Sequence, residues 1–156
     1  MTRLTRSDEE GFSMVELMVV LLIIAILIAI AIPTFAAYKS RAQDTAAKTS
    51  AVLAVRTAAA MGQDAMFDGV TTASLKAAQP SLDFVDGTSP STYFKEISQI
   101  VPDAGAGDSI FVVSVLSATG TCFMMRYQAS GSDFAQGTIP SCEAGQFGTL
   151  LFGPSW

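Results

Sequence analysis

Polar and apolar positions divide this 156-residue chain into two unlike parts. Residues 1–10, "MTRLTRSDEE", are short, charged and without periodicity. Then comes "GFSMVELMVVLLIIAILIAIAIP", residues 11–33, in which Leu17 to Ile32 are 16 apolar residues without a break. No formal charge occurs from Leu17 to Tyr38, a stretch of 22 residues. As a helix this stretch spans about 33 Å, close to the hydrocarbon thickness of a bilayer. It is longer than the apolar region of a secretory signal peptide and runs on through Pro33, although "TFAA", residues 34–37, offers small residues for a signal peptidase.

The next segment, residues 38–66, is rich in Ala and free of Pro. Ala46, Leu53 and Ala60 recur every seven residues, with Val52 and Ala59 beside them, and Lys39, Asp44 and Lys48 fall elsewhere around the turn. The pattern predicts an amphipathic helix, with Asp44 and Lys48 as an i,i+4 pair. Gly62 is the first candidate stop and Gly69 a firmer one. One helix from about Phe12 to the early sixties would measure about 75 Å if unbroken. Pro33 removes one hydrogen bond within it and is expected to bend it.

Turn residues dominate 67–108, with "SLDFVDGTSPS" and "VPDAGAGDS" as loops and "TYFKEISQIV" fitting a short helix or a strand. "SIFVVSVLS", residues 109–117, is β-branched and almost wholly apolar, as a strand covered on both faces would be. "SATGT" is a loop, and "CFMMRYQ", residues 122–128, reads as the next strand of a hairpin. Cys122, Met124 and Arg126 would face one way, and Phe123, Met125 and Tyr127 the other. The methionines and strand aromatics read as core, and Arg126 and Tyr127 as surface contacts. The tail "FGTLLFGPSW" has an apolar patch for a last strand or for packing Trp156 into the core. The fold class is therefore α+β: a long N-terminal helix, membrane-spanning in its first half, on a small antiparallel sheet.

Composition narrows the function. Nine basic and fourteen acidic residues give a net charge of −5, which supplies no basic face for nucleic acid. There is no His, which removes the commonest general base and metal ligand. The acids are scattered and no base stands ready to activate a serine, so no catalytic site and no cofactor are expected. "PDAGAGD", with Asp103 and Asp108, lacks the alternating ligands of an EF-hand loop and reads as a surface turn in preference to a calcium site.

The two cysteines, Cys122 and Cys142, read as one disulfide in a chain with an export-like N-terminus, with two separate buried thiols as the alternative. Basic residues lie on both sides of the apolar run, Arg3 and Arg6 before it and Lys39 and Arg41 after it, so charge alone sets no orientation. The disulfide does, since it requires the C-terminal part to lie outside the cytoplasm. Glu16 is the anomaly: a carboxylate in a segment of this kind costs about 2.5–3.5 kcal/mol by insertion scales and calls for a partner or a purpose. The bland reading is that it snorkels to the membrane surface.

The stretch "GFSMVELMVVLLIIAILIAIAIPTFAAYKSRAQ" resembles the N-terminus of type IV prepilins and the related pseudopilins. Gly11, Phe12, Glu16, the apolar run, Pro33, Tyr38 and residues 41–43 carry the likeness. "GTCFMMRY", "SCEAG" and the final "SW" are similar to the disulfide-closed ends of pilins from Gram-positive actinobacteria. The resemblance implies cleavage after Gly11 by a membrane-embedded prepilin peptidase and methylation of the new N-terminus on Phe12. It divides the chain into a leader (1–11), a transmembrane and assembly helix (12–38), its amphipathic continuation (39–66) and a globular head (67–156). It further implies that Glu16 pairs with the N-terminal ammonium of a neighbouring subunit, with Glu16 and Pro33 as assembly residues. The implied partners are copies of the same chain, the prepilin peptidase, the inner-membrane assembly machinery and, before assembly, the membrane. The destination would be a surface filament, a type IV pilus for adhesion, motility or DNA uptake. A pseudopilin of a type II secretion-like system and a non-polymerising anchored binding domain are the alternatives. Many pilins have Gly in the middle of the run, where this chain has Ala25.

Overall fold

The computed structural model describes residues 11–62, 67, 70–101, 110–128 and 130–156. Residues 1–10 of the expected leader, the stop at Gly69 and the Asp103–Asp108 loop lie outside the described residues. The chain forms two compact units, one ending at Tyr38 and one running from Lys39 to Trp156, the latter called the head below.

Helix α1, Met14–Met61, belongs to both units. Ser13 starts it: the Val15 N–H donates to Ser13 Oγ at 3.2 Å and the Leu17 N–H to the Ser13 carbonyl at 3.2 Å. A serine cap of this kind satisfies donors that a helix start leaves open. The other end stops at Gly62, whose N–H still donates to the Ala58 carbonyl at 2.8 Å. Pro33 lies inside the helix, and Thr34 Oγ1 donates to the carbonyls of Ala31 (2.8 Å) and Ile30 (3.3 Å) beside it. The helix is continuous through Ala25 and Pro33 alike.

In the head, the C-terminal part of α1 joins a core with a five-stranded sheet of order β1-β2-β3-β4-β5: β1 Asp83–Asp86, β2 Glu96–Ile100, β3 Phe111–Leu116, β4 Cys122–Gln128 and β5 Gly131–Gly137. The neighbours β2–β3, β3–β4 and β4–β5 are antiparallel, and β1–β2 is parallel, so the sheet is not purely antiparallel as expected. Strand β4 has the limits and the alternation read from the sequence. Phe123, Met125 and Tyr127 join the cluster containing α1, while Cys122 and Met124 join a second cluster with Ala135 and Cys142. The β3–β4 turn places Gly120 at φ 85, a left-handed conformation that side chains with a Cβ resist.

The amphipathic part of α1 has a different phase from the one expected. Ala47, Ala51, Ala54 and Ala58 are 0% exposed and Val55 3%, whereas Leu53 is half-buried and Ala60 is exposed. The offsets of four, seven and eleven residues follow the helical period. The smallest side chains face the core, so helix and sheet approach closely. The larger Val52 and Leu53 fill the flank. Asp44 and Lys48 also do not pair. Asp44 Oδ1 accepts from Ser117 Oγ (2.7 Å) and Thr119 Oγ1 (2.5 Å) of the β3–β4 turn. Lys48 Nζ lies 5.1 Å from the Phe123 ring centroid and 5.6 Å from that of Trp156.

Two further departures come from the turn-rich region. "SLDFVDG", read as a loop, contains β1, whereas "TYFKEISQIV", left open between helix and strand, takes the strand form as β2. A short helix α2, Thr72–Ala78, precedes them, capped reciprocally by Thr71 and Ser74 and holding Leu75 at 0% exposure. Gly87, after β1, is a close approach: a Cβ there would meet Ile100 Cβ at 2.5 Å. Arg126 and Tyr127 are not plain surface residues. Arg126 pairs with Asp133 and lies 4.8 Å from the Phe152 ring, and Tyr127 packs edge-on to Phe67 at 5.8 Å.

Candidate functional site: the N-terminal segment and the disulfide clasp

Gly11, Phe12 and Ser13 precede the first helical turn. A Cβ built on Gly11 would meet nothing within 4 Å, and Phe12 is 85% exposed. The Gly11–Phe12 peptide bond therefore lies outside the helix and is exposed.

Glu16 lies in the first turn of α1. There the exposed N–H groups and the helix dipole favour an anion by about 0.3–1 kcal/mol. The spacing Ser13-x-x-Glu16 is that of a capping box, in which the acid returns to the cap's own N–H. Neither bond of that box forms: Ser13 Oγ accepts from the N–H of Val15 in place of that of Glu16, and no side-chain hydrogen bond or ion pair is made among the described residues by Glu16. Its carboxylate is exposed and available, on a helix whose surrounding side chains Val15, Leu17, Met18, Val19 and Val20 are exposed too. Sequence reasoning passed over Ser13, although Ser followed three residues later by Glu before an apolar run was the available signal.

From Leu17 to Ile32 the helix buries nothing within the chain. The apolar stretch is long and apolar enough to cross a membrane, and none of its most apolar 18-residue window is buried. An uncovered apolar surface of that extent is unfavourable in water and needs lipid or other protein around it.

Within the head, Cys122 and Cys142 form a disulfide with a Cα–Cα distance of 5.5 Å. Cys122 is 0% exposed and Cys142 3%. The bond fastens the C-terminal segment over the sheet face opposite α1, and small polar groups complete the seal. The Cys142 carbonyl accepts from the Ser91 N–H (2.9 Å) and from Ser114 Oγ (2.9 Å). The Ala144 N–H donates to Ser98 Oγ at 3.0 Å, and the Gly145 N–H to the Gly87 carbonyl at 2.9 Å. Beyond a 3-10 segment, Ala144–Thr149, the tail packs Trp156 against the core and makes a single β-bridge in place of a last strand. Gly153 bridges Phe134 of β5 through two backbone hydrogen bonds (2.7 and 2.8 Å), and Trp156 packs against Phe123 (5.3 Å) and Phe134 (5.0 Å).

Residues 6–32 match the family model of the prokaryotic N-terminal methylation motif. The N-terminal segment is of prepilin type. The match takes in Gly11, Phe12, Glu16 and the apolar run and ends at Ile32, so neither the C-terminal likeness to Gram-positive pilins nor the head falls within it. No curated protein and no solved structure matches the chain. A prepilin-type segment followed by a helix-plus-sheet head gives the molecule a type IV pilin-like α+β architecture. The apolar helix near the N-terminus is consistent with the membrane anchoring of a prepilin.

Proposed function

We propose that this chain is the structural subunit of a type IV pilus, cut after Gly11, methylated on Phe12 and polymerised through the first part of α1 into a surface filament. One observation carries the reading: beside a methylation motif, the chain presents a wholly uncovered apolar helix with an unpartnered carboxylate at its start. Lipid covers that surface before assembly, and the same helix of other copies covers it afterwards. The chemistry of the switch lies at Glu16. Cleavage frees an amine at Phe12, and an amine and a carboxylate brought together in a low dielectric attract far more strongly than in water. Desolvation takes back much of this gain, so the pair selects register more than it adds stability. Pro33 relaxes the helix where it leaves the apolar run. In this reading the chain is the substrate of the prepilin peptidase and the cargo of the inner-membrane assembly machinery. It is not itself an enzyme, and it needs no cofactor. Its leader, assembly helix, amphipathic continuation and the remainder of the head are residues 1–11, 12–38, 39–66 and 67–156. The filament serves adhesion, motility or DNA uptake.

The test is the N-terminal mass of the protein in material sheared from cells, with Glu16→Ala beside wild type. Abundant protein beginning at methylated Phe12 in sheared filaments, lost in Glu16→Ala, is the expected result. Processed protein confined to the membrane would turn the reading toward a pseudopilin. An uncut Met1 start in the membrane would leave a non-polymerising anchored domain. Normal filaments from Glu16→Ala cells would remove the registry role of Glu16.

A further inference from the structure

Just past the apolar run the helix carries two cations to which the proposed assembly assigns no role. Between Glu16 and Asp44 the only charged side chains are Lys39 and Arg41. Both are exposed, and neither makes an ion pair or hydrogen bond among the described residues. Arg41 and Asp44 have the i,i+3 spacing of a helical ion pair. Yet the Asp44 carboxylate is taken by Ser117 and Thr119 of the β3–β4 turn, at 2.7 and 2.5 Å. Hydroxyls of the head's own hairpin thus hold that carboxylate, and it makes no ion pair with either cation among the described residues. The chain around them is acidic overall, with a net charge of −5.

Position supplies the second half of the inference. Lys39 and Arg41 follow Tyr38, where the uncharged stretch ends, by one and three residues. That is within about 5 Å along a helix axis, the depth at which headgroup phosphates lie when such a stretch fills the hydrocarbon. Two residues apart on a helix, the side chains leave the axis about 200° from one another. They therefore meet separate headgroups and form a collar, not a pocket. Arg41 offers a planar fork suited to phosphate oxygens and Lys39 a mobile point charge. Their aliphatic stems remain compatible with the lipid beneath.

We propose that Lys39 and Arg41 bind the phosphates of anionic phospholipids in the leaflet from which the head emerges, so that the unassembled subunit gathers acidic lipid around its helix and offsets the repulsion of its acidic head. The inference rests on the membrane-spanning reading of the apolar run. The test places the full-length protein in nanodiscs of equal phosphatidylglycerol and phosphatidylcholine and counts the lipids retained, by native mass spectrometry. Wild type should retain phosphatidylglycerol preferentially. The double variant K39Q/R41Q should lose that preference by about fivefold per cation, roughly thirtyfold in all. R56Q, which removes an exposed cation farther along the same helix, should leave it unchanged. Equal lipid selection by wild type and K39Q/R41Q, or an equal loss in R56Q, overturns the collar while the protein stays in the disc. A chain that alkaline carbonate washes off the membrane overturns the spanning reading together with the collar.

Discussion

Replacing Ala51 with Leu measures how closely α1 lies against the sheet. Ala51 is 0% exposed within a stripe of equally buried alanines at 47, 54 and 58. The same cluster holds Ile97, Phe111, Val113 and Val115 at 0% and Phe123 at 1%. Leucine adds three carbons. If they found room, their burial would stabilise the head by about 2 kcal/mol, at about 0.8 kcal/mol per methylene. With Ala51 and its cluster buried, the added carbons have no outlet to solvent and must displace neighbours, and overpacking costs about 1–3 kcal/mol. The two effects have opposite signs, so the packing decides the outcome. The expected result is an unfolding free energy lower by about 1–3 kcal/mol. Urea titration in mild detergent reads it through the fluorescence of Trp156, the only tryptophan, which packs on Phe123 and Phe134. Ala60→Leu is the control: position 60 is exposed on the same helix, and a surface change there should stay within about 0.5 kcal/mol. An Ala51→Leu midpoint equal to or above wild type would refute a closely packed alanine stripe.

Two other perturbations probe the head. The double variant Cys122→Ala/Cys142→Ala opens a loop closed across a sequence separation of 20 and should cost about 3 kcal/mol, read by urea titration. Reductant added to wild type should reproduce the loss, and a loss below about 1 kcal/mol would mean that the serine-held C-terminal segment needs no clasp. Gly87→Ala puts a Cβ 2.5 Å from Ile100 Cβ and must push β1 from β2, at a cost of about 1–3 kcal/mol. Gly148→Ala, where a Cβ meets nothing within 4 Å, should be near neutral, and equal effects from both would refute the close approach.

Features written in contiguous residues were legible before any tertiary contact. An unbroken apolar run with one carboxylate at its start implies a lone helix needing lipid or other copies around it, since its physics depends on near neighbours alone. Strand β4 was equally legible, because alternation with period two is a local property, and so was the pairing of the only two cysteines in a chain with an export-like start. The tertiary structure decided the rest. Alanine carries little hydrophobic weight, so nothing in the composition distinguished the stripe at 47, 51, 54 and 58 from the bulkier positions beside it. Only the approach of the sheet made the smallest side chains the buried ones. Strands β1, "DFVD", and β5, "GSDFAQG", are short or polar and have no strand signal of their own. They form because β2 and β4 offer them ladders of backbone partners. Asp44 and Lys48 looked like partners at helical spacing until a hairpin 73 residues away took the acid and aromatic rings took the base. Charged side chains near a chain segment go to the best partner in space, and one-dimensional spacing cannot rank partners that folding has yet to deliver.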